Sequence, residues 1–249
     1  MKNISTVAIM ATMLLANAGC KKDTTDPPAT TTPVETAVDA TVRMKFSFND
    51  GQTPFTLNST QLVDSLGNHV KLDSVRFFVS GIHAFDDEGN VLAHYEGTYL
   101  LVDASLDSNN YAVGAVHASH IHEFHFDLGV EIPANTGLTP PPLDDASMFF
   151  NTTMGHKFLV AKGMADHGGD GNFDIPVDYM CGMDMLLTDA HAHVHHDLTE
   201  NEVFTAQITV NLHGLLNGIN LMVDNAPTMA SAPSIRIMQN LSDGIDGVE

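Results

Sequence analysis

The sequence predicts an all-β protein: an antiparallel β-sandwich with long loops and one or two short helices. Three observations predict it. Short runs rich in β-branched and aromatic residues recur from Thr41 onward. Polar turn clusters separate them. The first run, Val42 to Phe48, alternates strictly between apolar and polar residues, as a half-buried strand does. With 43% hydrophobic and 16% charged residues, a chain of 249 residues can bury a core of this kind.

In chain order, Lys2 opens a short basic start, Val7 to Ala16 forms an apolar run, and Asn17-Ala18-Gly19 leads to Cys20. Residues 1–19 therefore read as a signal peptide, too short to span a bilayer. The small residues before Cys20 resemble a bacterial lipobox, although Asn17 stands where an aliphatic residue is usual. Cys20 is the expected lipidation site, anchoring an exported protein to the lipid bilayer of the cell envelope, at the outer membrane. The Thr-, Pro- and Asp-rich stretch through residue 40 has no hydrophobic period and reads as a flexible tether. Residues 41–249 show no internal boundary and are taken as one domain.

After 42–48, further strands are expected at 69–72, 74–84, 98–103, 120–130, 156–163, 190–196, 203–212 and 219–223. Asn49-Asp50-Gly51, Leu66-Gly67-Asn68, Asp87 to Asn90, Asp107 to Asn110 and Thr199-Glu200-Asn201 supply the turns. The Pro-rich stretch 132–146 cannot be a central strand. Short helices are expected at 143–150 and 234–242.

The net charge of −21 gives no electrostatic footprint for nucleic acid. Two Cys cannot build a disulfide framework or a four-thiolate zinc site. The surplus is in His, 14, and Met, 13, and it is clustered. His191, His193 and His195 alternate, so on a strand they share one face, with His196 adjoining. Two imidazoles at that spacing can chelate one ion, against the plainer reading of a solvated polar edge. Met180, Cys181, Met183 and Met185 offer soft donors that suit Cu(I), and in extended chain Cys181, Met183 and Met185 would share a face. Against this stands ordinary core packing by Met. A third tract carries His117, His120, His122 and His125; alternation would put His120 and His122 on the face of Phe124 and Phe126, with His125 opposite. Asp166, Asp170, Asn172 and Asp174 surround glycines in a pattern that suits calcium, although a plain Asp/Gly turn is the better reading. His167 in that loop is a further candidate for a copper site. His69, His83, His94, His156 and His213 read as satisfied or surface residues. No G-x-S-x-G, H-E-x-x-H or phosphate-binding loop occurs, and no enzyme activity is expected.

Several stretches taken together resemble the MbnP-like family, the copper-binding proteins associated with methanobactin operons and their Bacteroidetes lipoprotein relatives. They are 73–90 (DSVRFFVSGIHAFDDEGN), 99–109, 123–131 (EFHFDLGVE), 147–163, 166–174 and 178–187, in family order. The resemblance implies a β-sandwich in the cell envelope, metal binding and, in some members, a di-haem partner protein. That partner can oxidise a family tryptophan to kynurenine. Here the corresponding stretch is Met148-Phe149-Phe150-Asn151-Thr152 and the chain has no Trp, so the modification is excluded. The family's four-Cys pattern is absent, and Tyr179-Met180-Cys181-Gly182 stands where relatives have Tyr-His before Gly. His120 to Phe124 also resembles the copper-ligand strand of Cu,Zn superoxide dismutases, whose bridging His, zinc loop and disulfide are missing here.

The expectation is a cell-envelope lipoprotein that binds copper or a similar soft or borderline metal for capture, storage or delivery. A non-metal envelope module binding a protein or glycan is the alternative, and a superoxide-dismutase-like metalloenzyme a third.

Overall fold

The computed structural model describes residues 36–248, apart from His167 and Thr228. The first strands are β1 (Val38–Asn49), β2 (Gln61–Val63), β3 (His69–Phe85), β4 (Val91–His94), β5 (Leu100–Asp103), β6 (Asn109–Ala118) and β7 (His120–Leu128). Then come β8 (Phe149–Asn151), β9 (Gly155–Asp166), β10 (Phe173–Gly182), β11 (Thr188–Asp197) and β12 (Glu202–Asn211). One helix, α1 (Ala232–Asp243), precedes β13 (Ile245–Gly247).

The strands form a sandwich of two sheets. The smaller runs β13-β12-β1-β6; the larger runs β10-β9-β3-β7-β11, with β2, β4 and β5 also pairing β3 and β8 pairing β9. Pairing is antiparallel except between β1 and β12, which are parallel. β3 is the spine of the larger sheet. His69–Phe77 pairs with β9 and Val79–Phe85 with β7, while β2, β5 and β4 line its opposite edge.

The alternation in β1 does what the sequence suggested: Val42, Met44 and Phe46 are buried against the other sheet. The Phe46 ring meets Phe77 and Phe126 of the larger sheet edge-on, each at 6.3 Å. Such T-shaped pairs add to the burial of the rings themselves. The middle of β3 is buried on both faces, because Phe78 points away from this core and packs on the His156 ring at 5.5 Å. His156 is itself buried, facing the Leu143 carbonyl at 3.1 Å. The segment from Gly129 to His156 thus covers part of the outer face of the larger sheet. Further along β3, the face beyond this cover carries His83 and Phe85, both half-buried.

Several expected elements differ. The runs 69–72 and 74–84 are one strand with a register shift between Leu72 and Ser74. β6 and β10 were not anticipated. β10 contains Pro176, which is tolerated because β10 ends the ordered path of its sheet. The apolar run 219–223 is a turn: the Asn220 carbonyl accepts from both Val223 and Asp224, and the Asp64 carboxylate takes the Leu221 N–H at 2.9 Å. Within 143–150, only one 3-10 turn forms, Ala146–Met148, capped by Asp145, before the chain joins β9 as β8. The expected C-terminal helix is present as α1, with Ser231 accepting from the Ser234 N–H at its start.

The Phe77→Ala variant should lose about 3–5 kcal/mol of stability, as large-to-small changes in a sealed aromatic core do. A urea melt reads this as a lowered midpoint. An unchanged midpoint would remove the Phe46–Phe77–Phe126 cluster from the core.

Candidate metal centre

The uncovered part of the larger sheet is shaped by extra residues. In β3, pairing with β7 shifts between Ser80 and His83, and Gly81 adopts φ 57°. A Cβ at Gly81 would come within 2.6 Å of the Asp127 carboxylate, so glycine answers both needs. In β11, pairing with β7 shifts between His193 and His196, and His195 has φ 33°. Such bulges re-aim the side chains that follow them.

Ala190, Ala192 and Val194 point into the core, and His191, His193 and His195 point out. The three histidines share a face as their spacing suggests. In β7, the alternation breaks between Ile121 and Phe124, both fully buried three residues apart. His120 and His122 therefore do not lie with Phe124 and Phe126, and His125 is not opposite them. All three histidines stand on the outer face, beside β11.

Two compact groups of ligand atoms occur among the described residues. The first is Asp87, His120, His122 and His195, whose atoms all lie within 4.8 Å of one another. His122 Nδ1 is 2.9 Å from Asp87 Oδ1 and 3.2 Å from His195 Nδ1. Two nitrogens bound at ~2.0–2.1 Å to one tetrahedral ion lie about this far apart. His120 is held from behind: its Nδ1 faces Asp197 Oδ1 at 2.7 Å. In the neutral ring, a proton on Nδ1 for Asp197 leaves the lone pair on Nε2. That Nε2 is buried without a hydrogen-bond partner, and Asp87 Oδ2 at 3.7 Å is too far to serve as one.

The second group is His122, Glu123 and His193. Glu123 Oε1 accepts from His125 Nε2 at 2.9 Å, and Oε2 lies 3.2 Å from His193 Nδ1. Burial raises the Glu123 pKa, but the hydrogen bond from His125 and the charges on His125, His193 and His122 outweigh it. The carboxyl sits below its ordinary range. Around these groups, His83 stacks on His94 at 4.1 Å, and His191 lies 5.6 Å from His125 and 5.7 Å from His193 by ring centroid.

Other candidates fall elsewhere. His196 falls on the other side of the strand from the row by alternation; it stacks on Phe204 at 4.1 Å and meets Glu202 at 2.8 Å through Nε2. Cys181, Met183 and Met185 do not share a face. The strand ends at Gly182, Met183 turns to φ 81°, and a 3-10 turn follows. Cys181 is wholly buried, Met183 is 37% and Met185 67% exposed, and Met180 is half-buried against the core. Cys181 pairs through Leu159 onto Phe77, whereas His193 pairs through Glu123 onto Phe85. Those anchors are roughly 25 Å apart along extended β3. Asp166 is buried and its Oδ2 takes the Gly171 N–H; Asp170 Oδ1 takes the Asn172 N–H. These are turn bonds, and Asp166, Asp170 and Asp174 belong to neither compact group among the described residues. Asn172 and Asp174 are exposed. Cys20, its signal, the tether through residue 35, and His167 lie outside the described residues, and the last residues of the expected tether, 38–40, begin β1 instead.

Asp87, Asp197 and Glu123 were not anticipated. Asp87 lies in a turn and shows no local pattern. Glu123 adjoins His122, and Asp197 directly follows His195-His196, which is the one signal that pointed to them.

A family model described as MbnP matches residues 39–235. A solved structure, MbnP from Methylosinus trichosporium, is similar at 16% identity with a TM-score of 0.48, over 72% of this chain and 78% of that one. No curated protein matches.

Burial pushes the Cys181 thiol up to about 12. It should stay protonated and resist alkylation in the folded protein at pH 8, then react on unfolding, with the peptide assigned by mass spectrometry. Labelling of Cys181 in the native state would return it to the set of available donors.

Proposed function

The chain belongs to the MbnP family, and on that premise we propose that it is an exported, lipid-anchored protein that binds copper for capture, storage or delivery, not turnover. The centre is Asp87, His120, His122 and His195. One observation carries this reading: His120 Nε2 is buried with no partner while Asp197 fixes the other ring nitrogen. A metal ligand backed by a carboxylate has this arrangement, and it sets which nitrogen is offered.

The donor set fits the ion. Three imidazoles and a carboxylate are borderline-to-hard donors, and among divalent ions at such sites Cu(II) binds most tightly. The thiol and thioethers of the Cys181 stretch stand too far along β3 to join, so Cu(II) is favoured over Cu(I). When bound, the ion would supply a redox-active centre; the protein's own part is to orient the imidazoles and shield His120. The net charge of −21 gathers cations without choosing among them. Selection falls to the ligands. Cys20 would hold the site at the envelope bilayer, where a di-haem partner protein would have access to it.

Protein purified without a His tag should hold stoichiometric Cu(II) in a competition titration. His120→Ala should abolish tight binding. Asp197→Asn should weaken it ~10–100-fold, as loss of such a carboxylate does. His196→Ala should leave it unchanged. Equal affinity in the wild type and His120→Ala would sink the assignment.

A further inference from the structure

The second group of ligand atoms is left over by the reading above. Glu123 is a poorly exposed carboxylate, with 17% of its side chain accessible, between imidazoles on two strands. Its two oxygens are used differently. Oε1 is held by His125 Nε2 at 2.9 Å, and Oε2 is turned toward His193 Nδ1 at 3.2 Å. His122 completes the group, its ring centroid 5.5 Å from that of His193. His122 also belongs to the group of Asp87, His120 and His195.

We propose that Glu123 and His193 form a second metal position beside the first, that His122 serves both, and that His125 positions the Glu123 carboxylate. The ligand class is a divalent, borderline ion such as Cu(II). A carboxylate with two imidazoles within 4.8 Å of one another offers one oxygen and two nitrogens, donors that such an ion accepts. With one donor fewer than the first group, this position is the weaker. Because the groups share His122, the occupant of either one competes for that ring. An ion can therefore pass between them by exchanging Glu123 and His193 for Asp87, His120 and His195 while His122 stays bound. The two groups are one or two residues apart on β7 and β11, about 3–7 Å by strand rise. No large motion is needed for the exchange.

The proposal rests on the reading of the first site as a copper site, and the experiment keeps the two apart. Cu(II) alone is titrated into the full chain, purified without a tag, with binding read by competition and by electron paramagnetic resonance. The wild type should show a tight and a weaker phase, the weaker one held by Glu123 and His193 while His122 stays with the first ion. Glu123→Gln and His193→Ala should each remove the weaker phase and spare the tight one. His195→Ala should remove the tight phase and spare the weaker. His125→Ala should weaken the second phase ~10–100-fold with circular dichroism unchanged, and His122→Ala should weaken both. One phase in the wild type, lost in His195→Ala and untouched in Glu123→Gln, overturns the second position and leaves the first reading standing. No copper in any form overturns both.

Discussion

Extra residues at Gly81 in β3 and beside His195 in β11 decide which side chains reach the outer face of the larger sheet. In a strand, a shift of one residue exchanges the two faces. β3 shows this twice. Val70 and Leu72 face the core before its first shift, Val75, Phe77 and Val79 after it, and Ile82 and Ala84 after the second. Without the extra residue at Gly81, His83 would be forced toward the interior, beside Phe85. In β11, the pairing with β7 shifts beside His195, and His196 turns to Phe204 and Glu202 on the other side of the strand. The close approach of His122 to His195 depends on that register.

The same sheet keeps sulfur and nitrogen donors apart. Near Phe77, β3 is closed on both faces, and Cys181 joins the sealed part. Its thiol is driven toward the neutral form by burial, with Ser234 only partly opposing. Near Phe85, the cover provided by the segment from Gly129 to His156 ends, and half-exposed imidazoles take its place. A soft ion meets no available thiolate on this face, while a borderline ion meets several imidazoles and two carboxylates. On the proposed reading, a preference for a borderline ion follows from how far the loop cover extends along one strand.

Much of the fold is legible in the sequence where a strand has one wet face. Val42 to Phe48 alternates, and so does His191 to His195, because inward residues are apolar and outward ones are not. β6 is hidden by its start at Asn109, inside what reads as a turn; there the side chain of Asn109 bonds the backbone of Asp103 instead. β10 is hidden by Pro176. The apolar run 219–223 misleads because burial alone does not make a strand: Ile219 and Leu221 are buried in a turn whose N–H groups find Asp64 and Asn220. Bulges are the least legible feature, since register is settled by the partner strand. That is why simple alternation misplaces His120, His122 and His125 yet places His191, His193 and His195. Asp87 and Glu123 acquire meaning only through histidines on other elements or across the β7–β11 ladder.

Stability alone does not explain this patch. Exposed pairs of His with Asp or Glu contribute little to stability, typically ~0–1 kcal/mol, because water screens them and the side chains lose freedom. Protonating several neighbouring imidazoles would set like charges against one another. Leaving them neutral gives each ring one donor and one acceptor, and then an acceptor such as His120 Nε2 is buried with nothing to accept from. Burial of an unpaired polar atom costs free energy. Moving Asp197 away would let the ring relax, yet the 2.7 Å contact holds the opposite nitrogen in place. A cation at the shared focus of His120, His122, His195 and Asp87 removes the conflict in one step: it takes the lone pair that is stranded, offsets the carboxylate, and allows the remaining rings to stay neutral. On that argument the ordering of His120 by Asp197 is a feature of the bound state that the fold carries without the ion.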